Sequence, residues 1–439
     1  AKKLKAAAPM AATSARKFDK SAETYFFYND ISEIAWLLNL RGEDIEFNPV
    51  FLSYLLVGER DTHLFAHLEA LDEIVRKELE SHNITLHPYE SAADLLRSLD
   101  PKNTIVGYAE SMNQQAVEIF HQLGLYSVCT SPVTPVPALR AVKDEREIAG
   151  FRRAMQLDGV AMVRFRRALD EIIEKGEIGQ ETELSIEQRL TAFRAEHPDF
   201  RGLSFGTIAG YGAHGAIVHY EADEESNATL APRSFLLLDS GAHYVSGTTD
   251  ITRTIPLGPL TDEERKAYTL VLRGHIALAR ARFPERTQGL VLDFAARYAM
   301  WQEGMDFGHG TGHGVGSHLC VHEGPQQIRK NTNAASTTPF VAGMTITDEP
   351  GIYISGKFGV RLENVLLTRE YAQTDFGRFL EFETLTLCPF DTTPIIVEML
   401  DENERNWLNR YHESVREQLL PLLADEKDRA WLERATLPL

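Results

Sequence analysis

The stretch Phe235-Leu236-Leu237-Leu238-Asp239-Ser240-Gly241 is an apolar run that ends in an aspartate and a tight turn. Such a run reads as a buried strand with a carboxylate at its end. Asp250 follows eleven residues on, in Thr248-Thr249-Asp250-Ile251-Thr252-Arg253. A buried carboxylate needs a counter-charge, because removal from water penalises its ionised form. An arginine or a metal ion can supply it. Taken singly, the plainer readings are favoured: Asp239 as a turn cap and Asp250 as a solvated strand residue.

The next informative stretch is His309-Gly310-Thr311-Gly312-His313-Gly314-Val315-Gly316. Four glycines alternate with other residues, which gives loop or irregular strand and excludes the helical HExxH site of zinc peptidases. A phosphate loop is excluded too, since GxxxxGK[ST] is absent and Val315 breaks GxGxxG. Glycines on either side let backbones approach while imidazoles point into a site. His322 follows in Val321-His322-Glu323-Gly324-Pro325. One such histidine reads as structural; three in one glycine-rich stretch point to a site.

Two more carboxylates close the set. Glu349 ends an apolar strand in Thr345-Ile346-Thr347-Asp348-Glu349-Pro350-Gly351. In Phe358-Gly359-Val360-Arg361-Leu362-Glu363 the period is two, with Phe358, Val360 and Leu362 on one face and Arg361 and Glu363 on the other. Alone, Glu363 reads as half of a surface ion pair. Together the four carboxylates carry −4, which two divalent cations neutralise; without cations they repel or take up protons. Hard oxygen donors with a single imidazole suit Mn²⁺ better than structural zinc. Two ions about 3.5–4 Å apart can share a hydroxide, a nucleophile at neutral pH.

The rest of the chain is consistent with two domains. It has 439 residues, 43% hydrophobic and 25% charged, as expected of a globular protein. The net charge of −19 and the lack of a basic patch argue against nucleic acid and anionic lipid as partners. No run approaches the roughly 18 apolar residues of a membrane span. Cys129, Cys320 and Cys388 are too few and too scattered for a disulfide framework or a thiolate metal site, which fits a reducing compartment. The first residue is Ala1, so a trimmed chain is expected, and residues 1–20 form a polar lead-in with no apolar core of a signal peptide.

From Ile31 to Ala138 helix and strand patterns alternate, giving α/β character. Helices are predicted at Ile31–Leu38, Leu68–Leu79 and Ala92–Leu99, and strands at Ser53–Val57, Thr62–Phe65 and Thr104–Val106. Ser131-Pro132-Val133-Thr134-Pro135-Val136-Pro137 reads as an extended linker. Beyond it come helices at Glu145–Glu174, about Glu183–His197, near Asp262–Arg282 and near Leu290–Glu303, glycine-punctuated strands, and helical patterning over Val397–Leu423. That half is α+β.

The strings quoted above, in that order, resemble the pita-bread metallopeptidases, the group of methionine aminopeptidase, prolidase and aminopeptidase P. Gly215-Ala216-Ile217-Val218-His219-Tyr220 is similar to the aminopeptidase P segment that places a substrate-binding histidine. Ala35-Trp36-Leu37-Leu38-Asn39-Leu40-Arg41-Gly42, Asn48-Pro49-Val50-Phe51 and Trp407-Leu408-Asn409-Arg410-Tyr411-His412 resemble the middle domain and tail of the three-domain type. The further N-terminal domain of that type is not in this sequence. The resemblance implies a creatinase-like α/β domain over 21–138 and a pita-bread domain with a C-terminal extension over 139–439.

The resemblance also implies roles. Asp239, Asp250, His313, Glu349 and Glu363 would ligate two divalent ions, Mn²⁺ first with Zn²⁺ or Co²⁺ as alternatives, and Asp250 and Glu363 would bridge them. His219 and His322 would stabilise the substrate carbonyl or hold the residues around the scissile bond. His309 would line the proline pocket and Arg361 would organise the carboxylates beside bound substrate. The implied reaction is attack of a metal-bridging hydroxide on an Xaa–Pro bond, with Glu349 as proton shuttle, releasing the residue before proline. A cytoplasmic homodimer acting on peptides, away from nucleic acid and membranes, is expected. The rivals are a prolidase restricted to Xaa-Pro dipeptides and a non-catalytic binding module.

Overall fold

A computed structural model describes residues 23–109, 111–124, 126–131 and 134–439, with the backbone alone at 126–131. The expected lead-in over 1–20, and Pro132 and Val133 of the expected linker, lie outside the described residues. The chain divides into two compact units, 1–140 and 141–439.

The first unit is one mixed sheet with helices. Its strands are β1 (Glu23–Tyr28), β2 (Ser53–Gly58), β3 (Thr62–Ala66), β4 (Ile84–Pro88), β5 (Thr104–Ala109) and β6 (Tyr126–Ser131), in the order β4-β3-β2-β1-β5-β6. Neighbours β1/β2 and β2/β3 run antiparallel, while β3/β4, β1/β5 and β5/β6 run parallel. The helices are α1 (Ile31–Leu38), α2 (Glu73–Ser81), α3 (Ala92–Ser98), α4 (Gln114–Leu123) and α5 (Val136–Ala141). Tyr25, Phe27, Leu56, Phe65 and Val106 pack beneath Leu96 of α3 and Ile119 and Phe120 of α4.

Two readings need correction here. The helix expected over Leu68–Leu79 is a 3₁₀ turn at Leu68–Ala70 followed by α2. Asp72 breaks the run because its side chain caps the backbone N–H of Val75, which starts a new helix. The linker expected to stay extended through Pro137 instead enters α5 at Val136. Proline is tolerated in a first helical turn, where its missing N–H has no intrahelical partner to lose.

The second unit begins with α6 (Glu145–Glu174) and α7 (Glu183–Ala195). A capping box of Asp144 and Glu147 opens α6, whose apolar face makes it the central strut. Strands follow: β7 (Phe200–Leu203), β8 (Ile208–Tyr211), β9 (Phe235–Ser240), β10 (Ala242–Tyr244), β11 (Gly247–Thr248) and β12 (Ile251–Pro256). After α8 (Asp262–Ala279) come β13 (Arg282–Pro284), α9 (Gly289–Trp301), β14 (Gly312–His313), β15 (Gln327–Ile328), β16 (Thr345–Asp348), β17 (Gly351–Ile354), β18 (Phe358–Arg361), β19 (Asn364–Thr374) and β20 (Gly377–Thr384). Helices α10 (Glu402–Leu419) and α11 (Glu426–Ala435) end the chain, where the pattern over Val397–Leu423 showed only the first of them. The sheets are ordered β12-β9-β8, β13-β20-β19-β16 and β11-β10-β7, with pairs β14-β15 and β17-β18.

Strand parity decides which side chains reach the site. On β9, Leu236 and Leu238 pack with Met162, Phe165 and Leu169 of α6 and Ile186 and Leu190 of α7. Asp239 therefore projects from the opposite face. On β12, Ile251 and Ile255 join the same helical core, and Thr252 and Thr254 face the strand segment at 361–363. Arg253 is fully buried and its guanidinium donates to the carbonyl oxygens of Thr252, Glu363 and Cys388 at 2.9, 2.7 and 2.7 Å, and to Asn364 Oδ1 at 2.9 Å. Phe390 stacks 4.1 Å beneath it. Arg253→Ala strands these acceptors without donors, and should cost about 3–5 kcal/mol of unfolding free energy. Arg253→Lys should recover little, because an ammonium cannot reach the same fork of acceptors. Denaturant unfolding of both variants checks this, and wild-type stability of either would contradict it.

Candidate metal centre

Asp239 is the next-to-last residue of β9, and the antiparallel partner β12 begins one residue after Asp250, with Ile251 opposite Ser240. The strand end thus sets two carboxylates side by side. Glu363 follows β18, tied to β12 twice: its N–H donates to the Thr252 carbonyl at 3.1 Å, and Thr252 Oγ1 donates to Glu363 Oε2 at 2.7 Å. Its fellow from the same strand face, Arg361, does not pair with it. Arg361 donates from Nε and Nη2 to Asp239 Oδ2 at 3.2 and 2.6 Å. The surface ion pair open for Glu363 in the sequence is therefore absent, and Glu363 is only 1% exposed.

His313 and Glu349 come from the neighbouring strands. Glu349 N donates to the Thr311 carbonyl at 2.9 Å, and His313 N donates to Thr347 Oγ1 at 3.0 Å, which in turn donates to Glu349 Oε1 at 3.1 Å. A Cβ on Gly312 would collide with the Thr347 carbonyl, and one on Gly314 with that of Glu323. This is why glycines flank the histidine. His313 Nδ1 donates to the Gly314 carbonyl at 3.0 Å. That fixes the tautomer and leaves Nε2 with a lone pair, 3.5 Å from Asp250 Oδ2 and 3.6 Å from Glu349 Oε1.

One donor atom each from Asp250, His313 and Glu363 lie within 4.8 Å of one another. Asp239 and Glu349 flank this trio, close enough that their charges raise the carboxyl of Glu363. Burial, reinforced by neighbouring carboxylates, pushes Asp250 and Glu363 well above the ordinary range. Burial likewise lifts Glu349 to about 7, against the pull of Arg361. Burial holds His313 down to about 3, so its imidazole is neutral, the form that ligates metal. Asp239 Oδ1 is buried without a hydrogen-bond partner among the described residues. An unpartnered carboxylate oxygen beside three more acids and one neutral imidazole is a donor set that fits divalent cations.

The remaining expected residues ring this centre. The His322 ring lies edge-on to that of His313 with centroids 4.3 Å apart. His219 is exposed on its loop, yet near enough for its charge to act on both His309 and His322. His309 donates from Nδ1 to the Gly310 carbonyl at 2.7 Å and accepts from the Tyr353 hydroxyl at 2.8 Å. Tyr353 accepts in turn from Arg361 Nη1 at 2.8 Å. A relay Arg361–Tyr353–His309 therefore runs from Asp239 to the edge of the site.

Sequence reasoning missed Tyr353, since nothing in Gly351-Ile352-Tyr353-Ile354 distinguishes it from a core strand residue. It also gave no role to Thr252, Thr347 or the pair His275 and Asp348. His275 Nδ1 donates to the backbone carbonyl of Asp348 at 3.1 Å, while the fully buried carboxyl of Asp348, on the far side of β16 from Glu349, makes no hydrogen bond among the described residues. Asn364 Nδ2 donates to His275 Nε2 at 3.0 Å. The pair thus braces, from behind, both strand ends that carry Glu349 and Glu363.

Comparison with known proteins agrees with this geometry. Residues 149–370 match the model of metallopeptidase family M24, residues 10–147 that of the creatinase/prolidase N-terminal domain, and residues 378–439 that of the C-terminal region of peptidase M24. The architecture is a creatinase-like α/β domain followed by a pita-bread domain. The chain belongs to metallopeptidase family M24. It is 40% identical over 414 residues to Xaa-Pro aminopeptidase 1 of Dictyostelium discoideum, covering 93% of this chain and 65% of that protein. It is 41% identical over 422 residues to a probable Xaa-Pro aminopeptidase P of Laccaria bicolor, covering 93% and 64%. The chain thus spans slightly under two thirds of the length of these relatives. Among solved structures it resembles the X-prolyl aminopeptidase of Caenorhabditis elegans, described as a cytosolic enzyme with a di-nuclear active site. That match has a TM-score of 0.89 and 34% identity, over 100% of this chain and 70% of the other. Prolidase from Pyrococcus furiosus shares the fold, with a TM-score of 0.64 and 20% identity over 86% of this chain and 98% of that one.

The raised carboxyls predict a pH response of the metal-free protein. Carboxyls whose folded pKa lies above the unfolded value make the folded state bind more protons, so stability falls as pH rises toward the folded value. Buried histidines with lowered pKa act oppositely, but only below the ordinary histidine pKa of about 6.5. Above that, the acids alone remain. In chelator, the melting temperature should fall as pH rises from about 7 to about 8.5, and saturating Mn²⁺ should lessen the fall, leaving the part due to buried acids such as Asp348 that hold no metal. Calorimetry at both pH values, with and without metal, checks this; a flat chelated profile would count against the buried acid cluster.

Proposed function

We propose that this chain is a metal-dependent aminopeptidase that removes the N-terminal residue from peptides with proline in second position. The observation that carries this reading is the convergence of Asp239, Asp250, His313, Glu349 and Glu363, from five separate stretches of chain, with an acid excess that divalent cations would balance. These five would hold two divalent ions. The oxygen-rich set favours Mn²⁺ over Zn²⁺ or Co²⁺. Bound ions supply Lewis acidity and ionise water at neutral pH.

The side chains supply the rest. Glu349 takes the proton of the attacking water and returns it to the departing proline nitrogen, which must gain one for the bond to break. His322 and His219 donate hydrogen bonds to the carbonyl oxygen as its charge develops. His309, held by Tyr353, presents an imidazole face toward the ring of proline. Arg361 holds Asp239 fixed in direction by its two hydrogen bonds. An Xaa–Pro bond is a tertiary amide with no N–H, so a dedicated pocket is needed where general aminopeptidases fail.

Glu349→Ala should abolish turnover of an Xaa-Pro-Xaa tripeptide, a loss of at least about 10³-fold, while the protein remains folded. A chelator should silence the wild type and Mn²⁺ restore it. Near-normal activity of Glu349→Ala would remove its role, and cleavage of Xaa-Pro dipeptides alone would reassign the protein as a prolidase. Failure of any metal to bind would leave a binding module.

The description of the similar Caenorhabditis elegans enzyme as cytosolic also supports a cytosolic setting. A homodimer is supported by α9, where Val291, Phe294, Tyr298 and Trp301 are exposed at spacings of three, four and three. Phe294 contacts Tyr298 and Trp301 with ring centroids at 5.3 and 5.8 Å, and the charged residues of the helix, Asp293 and Arg297, are buried. Such an uncharged aromatic stripe suits a self-association surface. Phe294→Asp should convert a dimer to monomer in sedimentation equilibrium, and an unchanged mass would place the contact elsewhere.

A further inference from the structure

Glu183 is the first residue of α7, and the reaction outlined above does not use it. Its carboxylate is fully buried. It accepts hydrogen bonds from the backbone N–H of Tyr211 at 2.7 Å and of Ala228 at 2.8 Å. It also accepts from Tyr220 Oη at 2.8 Å and from His214 Nδ1 at 2.9 Å. Tyr211 and Ala228 are the two ends of one loop, and His214 and Tyr220 lie inside it. One carboxylate thus ties both ends and the middle of the segment 211–228.

That segment carries His219. Around His219, Ala213, Ile217 and His219 itself are exposed, and only Gly215 and Tyr220 between 212 and 222 are buried; two turn hydrogen bonds, from Ile217 N to the His214 carbonyl at 3.0 Å and from Tyr220 N to the Ile217 carbonyl at 3.1 Å, shape its backbone. Gly215 lies against β18, the strand that carries Arg361; a Cβ on Gly359 would strike the Gly215 carbonyl. Tyr220, next in sequence to His219, stacks on His214 with centroids 4.5 Å apart and donates also to the Ser226 carbonyl at 3.1 Å. His219 therefore sits between Gly215 on one side and Tyr220 on the other, whose ring packs with Ile208 and Leu237 and whose hydroxyl is tied to Glu183.

We propose that Glu183 and Tyr220 form a clamp that sets the reach of His219 into the metal centre, making both positioning residues for the reaction. The task assigned to His219 rests on the functional reading above; the clamp itself does not. A purely structural role for Glu183 would lower stability and leave the effect independent of His219. A positioning role makes the two effects one.

The test is a double-mutant cycle between Tyr220→Phe and His219→Ala on the Mn²⁺-loaded enzyme with an Xaa-Pro-Xaa tripeptide. Tyr220→Phe removes one oxygen and keeps the stack on His214. It should lower kcat about tenfold and change KM less than about twofold, since the interaction lost belongs to the transition state. In the His219→Ala background the same substitution should cost less than about twofold. A full tenfold loss there, or none in the wild-type background, overturns the proposal. Hydrogen exchange, which needs no turnover, tests the clamp by itself. Amides of 211–228 should exchange at least about tenfold faster in Tyr220→Phe, and faster still in Glu183→Gln, with α6 unchanged. Unaltered exchange of the loop overturns the clamp. A wild-type protein inactive on every Xaa-Pro peptide would defeat the functional reading instead, and the exchange result would still decide the clamp.

Discussion

Four carboxylates, three buried and Glu349 half-buried, lie within reach of one arginine, and the second unit is organised around that imbalance. Arg361 satisfies Asp239 alone. Asp250, Glu349 and Glu363 answer to burial and to one another, and all three are pushed toward their protonated forms. Proteins do not gain stability from such a cluster, since desolvation outweighs anything that one cation returns. The arrangement makes physical sense as a cation cage whose cost is met when metal arrives. The hydroxyls of Thr252 and Thr347, each bonded to one glutamate, show that the oxygens are also aimed and not merely crowded together.

A second regularity is the use of buried arginine. Arg194, Arg253, Arg297 and Arg361 are the largest fully buried side chains. Each grips a segment next to a site residue. Arg194 pairs with Asp158 at 2.8 Å and reaches the carbonyl of Gly241, two residues after Asp239. Arg297 binds Asp293 at 2.6 Å and the carbonyl of His309 at 3.0 Å. Arg253 holds the carbonyls of Thr252 and Glu363. The planar fork of guanidinium suits this task, because it collects several fixed acceptors at once and never loses its proton. An acidic chain thus places several of its cations inside, where they lock the backbone around an acidic centre.

The sequence was most legible where period and spacing carry the signal. The boundaries of α6 were readable because thirty residues of unbroken amphipathic pattern are opened by a capping box. The candidate ligands were readable because metal chemistry restricts both residue type and the small residues beside it. Short elements were poorly readable: β1, β4, α4 and β6 gave no clear pattern, and α2 began later than expected because the side chain of a single aspartate, Asp72, caps it. In strands this short, hydrogen-bond partners from distant segments decide the element, and a local pattern contains no record of them.

By itself, then, the sequence determined the alternation of domains, the identity of the acids and imidazoles, and the glycines that let His313 approach the strand behind it. These are local matters of residue type, parity and volume. Only the tertiary structure decided that Arg361 turns to Asp239 and not to its neighbour Glu363, that Tyr353 links that arginine to His309, and that Glu183 fastens the loop of His219. Each of these contacts joins residues from separate elements, brought together by chain folding. Their partners are chosen by where buried donors and acceptors meet, and that choice is made by the whole packed unit.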